Sequence, residues 1–128
     1  MKVLADTHIL LWAAGDTRKL SRFAVTLIDD PRNELYFSPA SLLEIAIECA
    51  RGYDDFEIEP DFFRRHLLAH GYMELAITGE HAVAVFQLPP LHKDPFDRLL
   101  IAQAIVEGMT LLTADAKIAK YPGPIRKV

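Results

Sequence analysis

Short unbroken apolar runs alternate along this chain with longer stretches in which apolar residues recur every three or four positions, and the alternation predicts strands and helices in turn. Lys2-Val3-Leu4-Ala5-Asp6 reads as a short buried strand ending at an acid, and Thr7 to Ala14 continues as an apolar segment that must turn helical. Leu20, Phe23, Ala24, Leu27 and Ile28 form one helical face, which Pro31-Arg32-Asn33 ends. Glu34 to Phe37 is a second strand. Ser38 caps the next helix, with Pro39 in its first position, and Gly52 stops that helix after about Arg51. Tyr53 to Glu59 carries four acids in seven residues and reads as a solvated loop. Pro60 to His70 is a helix with Phe62, Phe63 and Leu67 inward, and Gly71 separates it from a third strand, Met73 to Ile77. Thr78 caps a helix containing His81, Ala82, Val85 and Phe86, and Leu88-Pro89-Pro90-Leu91 makes a rigid loop.

The stretch from His92 to Ala104 is charged where it opens and apolar thereafter. Asp94 is a favoured cap, and Pro95 fits the first helical position, where its missing N–H has no partner to lose. Asp97 then lies in the first turn, in line with Leu100, Ile101, Ala104 and Ile105, which predict a buried stripe. Beyond Gly108 come a fourth strand, Met109 to Thr113, then Ala114-Asp115, a short helix to about Tyr121, and a last short strand at Ile125 to Val128. Strands alternating with helices predict an α/β fold: a three-layer α/β/α arrangement around a mostly parallel sheet of four to five strands.

A chain of 128 residues, 51% hydrophobic and 25% charged, fits one domain over residues 1–128. The lone Cys49 excludes an internal disulfide and reads as a small buried apolar residue. The N-terminal apolar run is interrupted by Asp6 and His8, so neither a secretory leader nor a membrane span is expected, and a cytoplasmic setting is. A net charge of −4 argues against broad electrostatic coating of nucleic acid, but leaves room for a local basic rim around an acidic site.

In parallel sheets functional groups gather beyond the carboxyl ends of the strands. Asp6 and Asp115 sit at that edge, and Asp97 and Glu44, each near the start of a helix, can reach the same crevice. Each acid also has a structural role open to it. Asp6 and Asp115 can cap the helices after them, Glu44 can be a solvated helix residue one turn before Glu48, and Asp97 can complement a helix dipole, an effect of about 0.3–1 kcal/mol. If the four converge they repel one another, and one or two divalent cations reverse that cost. Oxygen ligands with no cysteine and no histidine pair point to Mg²⁺ or Mn²⁺ and away from zinc. Such a cluster suits phosphodiester hydrolysis, with Thr7 and Thr113 supplying hydroxyls at its rim. The glycine patterns of dinucleotide and P-loop sites are absent, as is a Gly-x-Ser-x-Gly elbow. The histidines are scattered, with His92 marked out by its nearness to Asp94. Trp12, Phe23, Phe62 and Phe63 read as core or subunit interface rather than as base-stacking platforms.

Four segments, Leu4-Ala5-Asp6-Thr7-His8, Ser38-Pro39-Ala40-Ser41-Leu42-Leu43-Glu44, His92-Lys93-Asp94-Pro95-Phe96-Asp97-Arg98 and Leu111-Leu112-Thr113-Ala114-Asp115, give the chain a pattern that resembles the PIN domain, and more closely the VapC-type toxins of toxin–antitoxin pairs. The resemblance spans nearly the whole chain. It implies a Mg²⁺- or Mn²⁺-dependent ribonuclease acting on RNA, with metal ligands at Asp6, Glu44, Asp97 and Asp115 and with Asp94 as a cap or outer group. It also implies a homodimer and a cognate antitoxin. By the same analogy Lys93, Arg98, Lys117 and Lys120 steer RNA, although each also reads as an ordinary exposed charge.

Two other functions fit the same fold: a PIN-like nuclease of RNA processing or DNA cleavage, and a non-catalytic module binding RNA or protein. The intact set of four acids speaks against the second. A phosphoacceptor receiver domain would need acids adjacent to Asp6, and none is there.

Overall fold

The computed structural model describes residues 1–52 and 58–128. Most of the acidic loop expected at Tyr53 to Glu59 lies outside the described residues. Five strands, β1 (Lys2–Ala5), β2 (Glu34–Phe37), β3 (Met73–Glu74), β4 (Thr110–Thr113) and β5 (Ile125–Lys127), form a wholly parallel sheet in the order β3-β2-β1-β4-β5. The helices are α1 (Thr7–Ala14), α2 (Arg22–Asp29), α3 (Pro39–Ala50), α4 (Pro60–Ala69), α5 (Gly79–Ala84), α6 (Pro95–Glu107) and α7 (Ala116–Ala119).

Alternate strand residues feed two cores. Val3, Ala5, Phe37 and Leu112 pack with Ile9, Leu10, Leu27, Ile45, Phe63 and Leu67 on one face. Leu4 and Leu111 pack with Leu100, Ile101, Ala104, Ile118 and Tyr121 on the other. Helices α1, α2 and α4 thus cover one side of the sheet and α6 and α7 the other, which is the expected three-layer arrangement. Cys49 sits at the margin of the first core, its Sγ donating to the Ile58 carbonyl at 3.2 Å. Among the described residues no helix is long and apolar enough to cross a membrane.

Expected caps are present. Ser38 and Asp94 accept from the first-turn amides of α3 and α6, and Gly108 ends α6 in the left-handed conformation at φ 68°. Three details differ from expectation. β3 stops at Glu74, because β2, its one partner, ends at Phe37 where Ser38 opens α3; only Leu75 N still reaches the Phe37 carbonyl, at 2.8 Å. Ile105 and Phe62 are 43% and 56% exposed, while Gln103 is buried. The helix expected to include Val85 and Phe86 ends at Ala84, the chain tightens into a 3₁₀ turn at Val85–Gln87, and Phe86 is 88% exposed.

The chain lays down β2 and β3 on one side of β1 and then returns to its other side for β4 and β5. This switch point opens a crevice beyond the carboxyl ends of β1 and β4.

Candidate metal centre

Asp6 follows β1 directly and is 4% exposed. One carboxylate oxygen caps α1 by accepting from Ile9 N at 3.0 Å, and the other accepts from the Thr113 hydroxyl. The Thr113 oxygen in turn accepts from Asp115 N at 3.0 Å, and Asp115 caps α7 through Lys117 N. Glu44, in the second turn of α3, accepts from the Thr7 hydroxyl at 2.7 Å, and Thr7 Oγ1 lies 2.9 Å from the Ser41 hydroxyl. Asp97, in the first turn of α6, accepts from His92 Nε2 at 2.7 Å, with both side chains 15% exposed. Each acid is therefore both a structural cap or hydrogen-bond acceptor and a wall of the crevice.

All four acids come together. A cavity of about 140 Å³ is lined by Asp6, Glu44, Asp97 and Asp115, together with Thr7, His8, His92 and Asp94. Within it, ligand atoms of His92, Asp94 and Asp97 lie within 4.8 Å of one another, the tightest such grouping among the described residues. Asp94 caps α6, its Oδ1 accepting from Phe96 N and Asp97 N, and the residue also lines the cavity.

Burial disfavours the charged carboxylates here. It pushes Asp6 up to about 6, against the lowering effects of Thr113, the Ile9 amide and the nearby His8. Glu44 is raised by burial and further by the charges of Asp97 and Asp94, with Thr7 opposing. Asp97 is raised by burial, and by Asp94 and Asp115, with His92 opposing. Buried acids that repel one another in this way form a set that a divalent cation complements.

The basic residues divide. Lys93, Lys117 and Lys120 are exposed. Arg98 is not a free cation for RNA: its guanidinium donates to the carbonyls of Pro89 (3.0 Å), Val85 (3.2 Å) and Leu88 (3.4 Å) and to the Tyr121 hydroxyl (3.0 Å). It ties the loop before α6 to the end of α7, so its fork of donors is already occupied. The sequence reads His8 as one of several scattered histidines and Trp12 as core or subunit interface. In the fold His8 lines the acidic cavity and both rings line a concavity beside it, since positions 8 and 12 are one turn apart on the helix that Asp6 caps, a spacing that was available in the sequence. Phe23 is 45% exposed and lies under Arg126, whose guanidinium carbon is 4.5 Å from its ring centroid.

Comparison with known proteins agrees with this architecture. Ribonuclease VapC22 of Mycobacterium tuberculosis is 29% identical over 126 residues, covering 96% of this chain and 95% of that protein. VapBC2 from Rickettsia felis, solved bound to a DNA fragment from its promoter, superposes with a TM-score of 0.73 at 17% identity, covering 99% of this chain and 98% of that one. A toxin–antitoxin complex from Klebsiella pneumoniae gives 0.60 at 19% identity, covering 98% and 99%. The family model of the PIN domain matches residues 3–124. With that match running from the first strand to the threshold of the last, the chain belongs to the PIN domain family.

Proposed function

We propose that this chain is a Mg²⁺- or Mn²⁺-dependent endoribonuclease that hydrolyses RNA phosphodiester bonds and serves as the toxin of a toxin–antitoxin pair. The observation that carries the reading is the meeting of Asp6, Glu44, Asp97 and Asp115, from four separate elements, in one cavity at the carboxyl edge of the sheet. The donor set fits a hard divalent cation. It is made mainly of carboxylate oxygens; of the two imidazoles that line the cavity, His8 and His92, the second already donates its Nε2 hydrogen to Asp97. When bound, such a cation supplies an electrophile for phosphate oxygens and a water of lowered pKa. The chain's own residues prepare the site. Thr113 and the Ile9 amide fix Asp6, Thr7 fixes Glu44 and His92 fixes Asp97, so three carboxylates are oriented before substrate arrives. Lys93, Lys117 and Lys120 are the exposed cations that would draw the RNA backbone toward this otherwise acidic surface.

The choice of RNA rests on the similarity to a ribonuclease, and an antitoxin partner rests on likeness to toxin–antitoxin assemblies. A homodimer in the cytoplasm completes the proposal, supported by Val83 and Phe86, which are 73% and 88% exposed and suit a second copy. The test is incubation of the purified chain with a mixed tRNA and ribosomal RNA pool in Mn²⁺ or Mg²⁺, beside EDTA and Asp97→Asn arms. Cleavage lost in both arms is the expected result. An Asp97→Asn chain as active as the wild type overturns the mechanism.

A further inference from the structure

A second concavity opens beside the acidic cavity and shares part of its wall. It measures about 250 Å³ and is lined by Asp6, His8, Trp12, Ala114 and Asp115. Asp6, His8 and Asp115 border both spaces. His8 and Trp12 are one turn apart on α1 and so project on one side of the helix. Their ring centroids are 6.0 Å apart with the planes tilted by 51°, so neither ring covers the face of the other. His8 is exposed, and Trp12 is half-buried with part of its indole packed on the first core. The result is a shelf with aromatic and apolar flooring, fixed from below and open from above, whose far edge is two of the four acids.

We propose that this shelf is a nucleobase subsite, in which the base of the nucleotide next to the scissile phosphate stacks on Trp12 with His8 along its edge. The inference rests on the reading of the acidic cavity as a phosphodiester-hydrolysing centre, and it adds where the substrate's base goes. An occupant must satisfy two adjoining environments at once, a flat apolar one at Trp12 and an acidic, cation-holding one at Asp6 and Asp115. A nucleotide does this, because its base presents a π face and its phosphate is one sugar away. Stacking on an aromatic face tolerates any base, so the shelf would hold substrate in place without by itself fixing a sequence.

Trp12 is the only tryptophan of the chain, so its fluorescence reports this shelf alone. The full chain is titrated in Ca²⁺ with hexaadenylate RNA and with a hexamer of the same phosphate count that lacks bases, while the anisotropy of an end-labelled strand follows binding. The expected result is quenching of Trp12 by hexaadenylate and none by the abasic strand. Trp12→Ala should weaken hexaadenylate binding about five- to hundred-fold, the range for one stacked base, and Trp12→Phe should restore it. Because Trp12 also packs on the core, His8→Ala, at an exposed position, provides a second variant expected to weaken binding. Equal quenching by the abasic strand, or an unchanged Trp12 signal while anisotropy shows hexaadenylate bound, overturns the subsite. Quenching by a basic aromatic peptide with none from RNA assigns the shelf to a protein partner and overturns it too. The two readings fail separately: quenching without cleavage of the tRNA and ribosomal RNA pool in Mn²⁺ removes the nuclease and leaves the subsite, whereas cleavage of that pool with no quenching by hexaadenylate, or with hexaadenylate unbound, removes the subsite and leaves the nuclease.

Discussion

The Thr113 hydroxyl donates to Asp6 across the seam between β1 and β4, and its oxygen also accepts from Asp115 N at 3.0 Å. One small side chain thereby ties together two of the four acids. Thr113→Val keeps the shape and removes both bonds. It should cost about 1–2 kcal/mol of stability, because Thr113 is fully buried and its partners are left short of a bond. Since the lost bond is one that lowers the Asp6 pKa, the acid limb of the cleavage–pH profile should move to higher pH, with a loss of rate on the order of 10- to 100-fold. Thermal unfolding and a pH–rate series check both.

Asp6 stands at about 6 against an ordinary value of 3.8, chiefly through burial. The folded chain therefore holds more protons than the unfolded chain between about pH 4 and pH 6, and its stability falls as pH rises through that window. At about 1.4 kcal/mol per pH unit, Asp6 alone costs the cation-free fold roughly 3 kcal/mol at neutral pH. Glu44 and Asp97 are displaced in the same direction. Calorimetry in EDTA should give a higher melting temperature at pH 5 than at pH 7.5, and Mn²⁺ should raise it more at pH 7.5. A melting temperature indifferent to Mn²⁺ at pH 7.5 would count against a cation at these acids.

His92 donates to Asp97 at 2.7 Å and acts through it. His92→Ala should lower divalent-cation affinity about 10- to 100-fold, as loss of a partner to a ligating carboxylate does, and His92→Gln should recover part of it. Isothermal titration with Mn²⁺ reads the affinity directly, and a change confined to melting temperature would mean that the histidine serves packing alone.

Arg98 is bonded to the carbonyls of Val85, Leu88, Pro89 and His92 and to the Tyr121 hydroxyl. Arg98→Lys keeps the charge but not the planar fork, so the substitution should still cost on the order of 2–3 kcal/mol. Denaturant unfolding measures that cost. Equal stability of the two chains would return Arg98 to the role of a phosphate-binding cation.

The strands, the caps and the four acids were legible in the sequence because each leaves a local mark. Unbroken apolar runs sign the buried parallel strands, and Asp-Pro or Ser-Pro signs a helix start. What was not legible depends on neighbours distant in sequence. Nothing within Met73 to Ile77 tells that β2 ends too soon to pair with its second half. The spacing that puts Ile105 in line with Leu100 and Ile101 cannot show that the second core ends before it reaches that side chain. Arg98 reads as a surface cation until the loop carbonyls from Val85 to Pro89 are seen folded around it. Trp12 reads as core because half of it is core.

Asp6 and Thr113 meet although 107 positions separate them. A centre assembled from such remote stretches has no partial form: a growing chain carries β1 long before β4, and until the two pair, the crevice has neither its second wall nor the acids that Thr113 holds in line. The acidic crevice therefore forms only once β1 and β4 have paired, and is lost when they part. A protease that opens any one connection deep enough to separate β1 from β4 takes the whole centre apart, without ever touching an acid.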